Sequence, residues 1–252
     1  MRIVTWNSAR GTHAAKLPAL LALKPDIAVI QETPQPTSQI APGQLWTGTN
    51  LHQGLMVLTF NGWQVDGAAK VNRAVEFFLP VKVSRGAFSF NLLAAWVKKG
   101  SAHPVYTTMI QRGLAAHASL LRSGPCVLAG DFNTWCDEEV CEPFGLVSAY
   151  HAFNNEDFGY ESRSTHYFRR QRNPNRCYHF DLCFVPSAWG KKIEKVSVGR
   201  FADWVRRRDG GSRSDHVPVT VDLKLPLPPA VSPSFSASRR IKLRPHAMDR
   251  SI

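Results

Sequence analysis

The sequence predicts an α/β fold, and two observations carry the prediction. Apolar runs of strand length alternate with stretches of helical periodicity, and twice the same device recurs: helix, break, wholly apolar strand, polar residue at the strand end. The first instance occupies residues 2–32 and the second residues 107–133. Strand–helix–strand order implies neighbouring parallel strands, because parallel pairing needs a crossover of this length. The chain has 252 residues, 44% hydrophobic and 20% charged. That composition supports the core of one large domain and excludes a largely disordered or collagen-like chain. No run approaches the ~20 apolar residues of a membrane helix, so no membrane insertion is expected.

The elements follow in order. Residues 2–7 alternate as a buried strand does. Ser8-Ala9-Arg10-Gly11 breaks the pattern and Thr12 suits a helix N-cap. Leu17, Leu20 and Leu21 fall at helical spacing until Lys24-Pro25-Asp26. Ile27-Ala28-Val29-Ile30 is a fully apolar strand ending in Gln31-Glu32. Residues 54–60, 74–83 and 87–98 read as short strands set off by Gly and Pro. Thr107 to Leu121 reads as one helix, with Met109, Leu114, Leu120 and Leu121 on its inner face, ended by Gly124-Pro125. Cys126-Val127-Leu128-Ala129 is a strand running into Gly130-Asp131-Phe132-Asn133. Further strands are expected around 145–150, 177–185, 192–200 and 216–225.

One domain is therefore expected over residues 1–225. Residues 226–252 change character: Pro226, Pro228, Pro229 and Pro233 open a Ser-rich basic segment, expected to be a mobile tail. The chain carries 31 Lys and Arg against 19 Asp and Glu, a net charge of +12. The tail holds five cations and Asp249, so most of the surplus belongs to the domain. Such a charge favours a polyanionic partner, nucleic acid or an anionic membrane surface. The five cysteines are odd in number and contain no Cys-x-x-Cys pair. They read as reduced thiols of a cytoplasmic protein rather than a disulfide framework. A zinc site at Cys136, Cys141 and Cys177 is the minor alternative. A strand beginning at Arg2 gives no leader peptide to expect, and a monomer is expected.

Five polar signals stand out: Trp6-Asn7, Gln31-Glu32-Thr33, Gly130-Asp131-Phe132-Asn133, His179-Phe180-Asp181 and Ser214-Asp215-His216. Each alone has a plain structural reading, as a strand-end hydrogen bonder, a turn or a satisfied histidine. Together they place Glu32, Asp131, Asp181 and Asp215 at strand ends, where unpaired carboxylates are costly to bury. Convergence of these four would call for a cation, and all-oxygen ligands suit Mg2+, with Mn2+ as a substitute. Asp215 and His216 are neighbours on a strand and point to opposite sides. A carboxylate from another strand is therefore needed to orient His216.

In this order the five signals resemble the endonuclease/exonuclease/phosphatase superfamily, from Arg2 to about Leu225. The resemblance implies a four-layered α/β sandwich, with two mixed sheets face to face and helices outside. It also implies metal-dependent phosphoester hydrolysis. Carried over residue by residue, Glu32 would be the principal Mg2+ ligand, with Asn7 beside it and Asp215 on the metal side. Asp131 would serve the leaving group or the attacking water, Asn133 would hold the scissile phosphate, and His216, oriented by Asp181, would stabilise the phosphoryl oxygens or act as base. Such a set needs no covalent nucleophile, only an aligned water and cations that neutralise developing charge. Where many relatives have a polar residue on the strand at 92–98, this chain offers Trp96. Tyr106 is the nearest candidate for a tyrosine found in exonuclease III-like members, and Phe180 replaces the usual Ile.

Two basic stretches bear on the substrate. Arg163 to Arg176 contains five Arg and no acidic residue, interleaved with His166, Tyr167 and Phe168. Arg206, Arg207, Arg208 and Arg213 lead directly into Ser214-Asp215-His216. Arg169, Arg170 and these four are expected to bind substrate phosphates. The leading expectation is a Mg2+-dependent nuclease acting on DNA or RNA. A phosphatase or phospholipase with a phosphoinositide- or sphingomyelin-type substrate is the first alternative, and a non-catalytic nucleic-acid-binding protein the second.

Overall fold

The computed structural model describes residues 1–75, 77–98, 105–136, 138–206 and 211–226. The tail expected at 226–252 therefore lies, beyond Pro226, outside the described residues. Two six-stranded sheets dominate. The first has the order β13 (Ile193–Val198), β14 (Val219–Leu223), β1 (Arg2–Asn7), β2 (Ile27–Thr33), β4 (Gln53–Thr59) and β3 (Gly43–Asn50). The second has the order β5 (Gln64–Gly67), β6 (Phe78–Arg85), β7 (Phe88–Trp96), β8 (Cys126–Asp131), β12 (Asp181–Pro186) and β9 (Leu146–Ser148). Each sheet holds one parallel pair, β1 with β2 and β7 with β8. Each pair is joined by a helical crossover: α1 (His13–Leu21) in the first, α2 (Tyr106–Ala116) and α3 (Ala118–Arg122) in the second. The twice-used device in the sequence is thus one parallel unit per sheet.

Strand parity builds the layers. On β1, Ile3 joins the central core while Val4 and Trp6 join the outer one. On β8, Val127 and Ala129 face the centre and Cys126 and Leu128 face outward. The central core, with Val29, Val57, Val81, Leu92 and Val221, lies between the sheets. One outer core sets Ile110, Leu114 and Leu121 of α2 and α3 against the second sheet, and the other sets Leu20 of α1 against the first. The result is the expected four-layered sandwich. No disulfide joins the five cysteines, and all but Cys177 are buried. Among the described residues, no helix is long and apolar enough to cross a membrane.

Several local expectations shift. The single helix expected from Thr107 to Leu121 breaks at His117 (φ −113°, ψ 18°), whose ring is buried beside Phe78. The segment at 145–150 pairs only over Leu146–Ser148 before turning into α5 (Ala149–Asn154). Residues 73–75 form a short helical turn, so β6 starts at Phe78. The stretch at 177–185 is two strands: β11 (Cys177–Tyr178), paired with β10 (His166–Tyr167) in a ribbon, and then β12. The edge strands β3 and β5 have no signal in the sequence, because half-exposed edges need no apolar run. Short helices α4 (Glu138–Cys141) and α6 (Phe201–Trp204) complete the fold.

Gly130 precedes Asp131 at a point where β7 presses on β8. A β-carbon there would lie 1.8 Å from the Ala95 carbonyl oxygen. Gly130→Ala should lower stability by ~2 kcal/mol or more, as overpacking against backbone does. A melting temperature matching the wild type would show that β7 and β8 are not held this closely.

Candidate active site

Strand parity brings three of the predicted residues together. Asn7 follows Ile3 and Thr5 on the inner face of β1. Asp131 follows Val127 and Ala129 on β8, and Asp181 precedes Cys183 and Val185 on β12. All three side chains therefore enter the same end of the inter-sheet space, and each is essentially buried. Asp181 is the register partner of Asp131 across the β12–β8 pair. Glu32 breaks parity, since Gln31 is already an inner residue, hydrogen-bonded to Thr5 Oγ1. A bulge between Gln31 and Thr33, with Glu32 at φ 52°, re-aims the glutamate.

Asn7 links the two carboxylates of opposite sheets. Its Nδ2 donates to Asp131 Oδ2 at 2.8 Å and to Glu32 Oε1 at 3.2 Å, while its Oδ1 accepts from the Ala9 N–H. Gln53 Nε2 donates to Glu32 Oε2 at 2.9 Å, and Arg10 lies 3.7 Å from the same oxygen. Asn133, at φ 55°, folds back on Asp131: its backbone N–H donates to Oδ1 and its Nδ2 to Oδ2, each at 2.9 Å. That Nδ2 also donates to the Val97 carbonyl. With both amide hydrogens engaged, Asn133 here holds Asp131 rather than presenting a donor to the phosphate that the resemblance assigned to it. Burial, and then the facing charge of Asp181, outweigh the nearby His216 cation and these donors, and raise the Asp131 carboxyl to about 7.

His216 Nδ1 lies 2.8 Å from Asp181 Oδ2, so the carboxylate from another strand is the one expected. Burial alone would lower the imidazole. The charges of Asp181 and Asp131 and the Asp181 hydrogen bond overcome it and raise His216 to about 10. The neighbouring His166, 4.5 Å away between ring centroids, is driven the other way, to about 4, by burial and then by the His216 charge.

Supporting residues without an obvious sequence signal fix this geometry. Buried Thr165 accepts the backbone N–H groups of Phe180 and Asp181 at its Oγ1, and its carbonyl takes the Val217 N–H. Ser214 Oγ donates to the Asn7 carbonyl and accepts the His216 N–H. Lys16 reaches from α1 to the carbonyls of Ser8 and Arg213, over the Trp6 ring. Burial, then the Arg170 charge, lower it to about 8 against the opposing pull of Asp215 and Glu32. A lysine at helical spacing from the Thr12 cap was visible in the sequence, but nothing there showed what it bridges.

The other predicted residues are placed less centrally. Asp215 is half-buried, and its carboxylate acts electrostatically on Lys16, as Glu32 does. Tyr106 opens α2. Burial, and then the charge of Asp131, raise its phenol, so it lies within electrostatic reach of that carboxylate. Arg169 and Arg170 are exposed at positive φ beside β10. Arg206 is exposed, while Arg207 and Arg208 lie outside the described residues. The Arg213 guanidinium is engaged by the Asp203 carbonyl and the Trp204 ring, which ties down its own loop.

The donor set fits a hard divalent cation. Carboxylate oxygens of Asp131 and Asp181 lie within 4.8 Å of one another and of a His216 ring nitrogen, but the imidazole, held cationic by Asp181, offers charge rather than a ligand atom. Among the described residues, buried Asp181 Oδ1 has no hydrogen-bond partner. Glu32 adds a half-buried carboxylate across Asn7. Oxygen-dominated clusters of net negative charge suit Mg2+ or Mn2+.

The chain belongs to the endonuclease/exonuclease/phosphatase family, whose pattern its residues 4–216 match. Members of that superfamily hydrolyse phosphoester bonds as nucleases or phosphatases. No curated protein matches the sequence. Solved structures do match in fold. A 3'-5' exonuclease from Neisseria meningitidis superposes with TM-score 0.63 at 18% identity, covering 89% of this chain and 100% of that one. An AP endonuclease from Archaeoglobus fulgidus gives 0.65 at 14%, with 89% and 100% coverage. D. rerio TDP2, complexed with a single-strand DNA product, gives 0.64 at 13%, with 89% and 99%.

Two outcomes test this geometry. Thr165→Val removes the acceptor shared by two N–H groups and should cost about 1–3 kcal/mol, whereas Thr165→Ser should recover most of it. Equal stability of the two variants would refute the clamp. His216 has a folded pKa raised above its unfolded ~6.5, so the stability it contributes is complete below that pH and is lost as pH rises through about 10. In cation-free protein the His216 ring should remain protonated at pH 8 by NMR, and Asp181→Asn should move its titration toward ~6.5. A wild-type ring already neutral at pH 8 would contradict the pairing.

Proposed function

We propose that this protein is a Mg2+-dependent phosphodiesterase that hydrolyses DNA or RNA. The observation that carries the proposal is the convergence of Asn7, Glu32, Asp131, Asp181 and His216 at one end of the sandwich, in a chain of net charge +12. The similar folds, an exonuclease, an AP endonuclease and a protein holding a DNA product, support nucleic acid as the substrate class.

In this reading Glu32 and Asp215 would hold the cation, with Asn7 spacing Glu32 from Asp131. The chemistry a bound divalent cation supplies there is neutralisation of charge on the phosphoryl oxygens. His216, kept cationic by Asp181, adds positive charge on the buried side of the same phosphoryl group. Asp131, with a carboxyl near neutrality, suits proton transfer to or from the water or the leaving oxygen. Asn133 holds that carboxylate, and Tyr106 stands near it. Arg169, Arg170 and Arg206, with Arg207 and Arg208, bind flanking phosphates.

Plasmid, abasic duplex, single-stranded DNA, RNA and phospholipid vesicles, each with Mg2+ or EDTA, form the deciding panel. At least one nucleic acid should be cleaved with Mg2+ and none with EDTA. Cleavage undiminished in EDTA, or turnover of the vesicles alone, would end the proposal. His216→Ala and Asp181→Ala should each reduce turnover by ~10²–10⁴-fold, with the double variant little worse, since groups acting as a unit are not additive. Multiplying losses would show that Asp181 does not serve His216.

A further inference from the structure

We propose that the surface formed by Trp135 and residues 159–180 is a stacking platform for unpaired bases, so that the polymer this site prefers is a single strand or a frayed end. The inference rests on the nucleic-acid reading above and deepens it.

The platform begins one ring away from His216. His166 forms a backbone bridge with His216, and its ring lies 4.5 Å from the His216 ring. On its other side His166 is nearly parallel to Tyr178 and Phe180, at 6.0 and 5.9 Å and 21° and 22°. Tyr178 and Phe180 project from the same side of the chain two residues apart and stack at 4.8 Å with 1° between planes. Trp135, two residues after Asn133, stands edge-on to both at 5.9 Å. A continuous aromatic surface therefore leads away from the catalytic histidine.

That surface is open and basic. Trp135 is 49% exposed, Tyr160 84% and Phe168 41%, unusual for large rings that the core could have used. Between Ser162 and Phe180 there are five arginines and no acidic residue. Arg169 and Arg176 lie 5.4 and 5.5 Å from the Phe168 ring. A cavity of about 440 Å3, walled by Trp135, Arg163, Asn175 and Tyr178, opens within it. That volume falls in the range of small-molecule pockets, so one base has room there. The one carboxylate in its wall, Glu161, is occupied by His151 Nε2 and the Gly159 N–H.

Rings alternating with cations suit a strand whose bases are free. Each base offers a face to a ring while guanidinium groups follow the phosphates. In a duplex both faces of every base are covered by its neighbours, and reaching them costs a few kcal/mol per extruded base.

Binding measured by fluorescence anisotropy in EDTA tests this without requiring turnover. The probes are a labelled single-stranded oligonucleotide with no self-complementarity and a blunt hairpin with that sequence as one arm of its stem. Wild type should hold the single strand more tightly. Trp135→Ala should weaken single-strand binding about tenfold and hairpin binding less than twofold. Tyr160→Ala, at a position too exposed to disturb folding, should act in the same direction. Arg169→Gln with Arg170→Gln should flatten the single-strand salt slope by about 1.4 in log–log terms. Equal losses on both probes, or tighter binding of the hairpin by wild type, would overturn the platform. A wild type that binds the single strand but cleaves no nucleic acid with Mg2+ would remove the phosphodiesterase reading and leave the platform standing.

Discussion

Two carboxylates that cannot comfortably coexist organise this end of the molecule. Asp131 and Asp181 are fully buried and directly opposite on adjacent antiparallel strands. Like charges so placed repel, and burial removes the water that would screen them. The protein surrounds them with a cation and donors. His216 sits against Asp181, and the amides of Asn7 and Asn133 serve Asp131. One oxygen of the pair, Asp181 Oδ1, is left without a partner among the described residues. The chemistry proposed for the site uses this gathered charge.

The fold delivers Asn7, Asp131 and Asp181 through strand ends rather than through loops. β1 of the first sheet faces β8 and β12 of the second, so Asn7 reaches across the interface to Asp131. The His216 segment is then tied back twice, by Ser214 to the end of β1 and by Thr165 to the start of β12. Lys16 adds a third tie from α1. Side chains held from several directions lose little entropy when they engage a substrate, which is what preorganised electrostatic stabilisation requires. The ribbon of β10 and β11 grows from the same frame, so the aromatic and basic surface beyond it is positioned relative to His216 and not free of it.

Much of this was legible in the sequence. The polar residue at the edge of each apolar run singled out Asn7, Asp131 and Asp181 as strand-end residues, while their entry into one space came from the packing of the two sheets. The two helix–break–strand units determine the two parallel pairs. An orienting carboxylate from another strand was expected from the adjacency of Asp215 and His216 on a strand; the two residues in fact lie ahead of β14, with His216 in an isolated bridge to His166, and Asp181 still meets the histidine. These features are local or depend on a period of two, and local patterns are written in neighbouring residues.

Only the tertiary structure decided the rest. Strict alternation would turn Glu32 away from Asn7, and the bulge that re-aims it exists because β2 slips register against β4. Thr165 reads as an ordinary loop threonine until it lies beside Phe180 and Asp181. Arg213 reads as a phosphate binder until Trp204 and Asp203 engage it. Asn133 likewise turns from the phosphate to Asp131. Edge strands β3 and β5 carry no apolar run because half-exposed backbone demands none. In each case the deciding contact joins residues whose proximity arises from sheet pairing and packing, which no local period encodes.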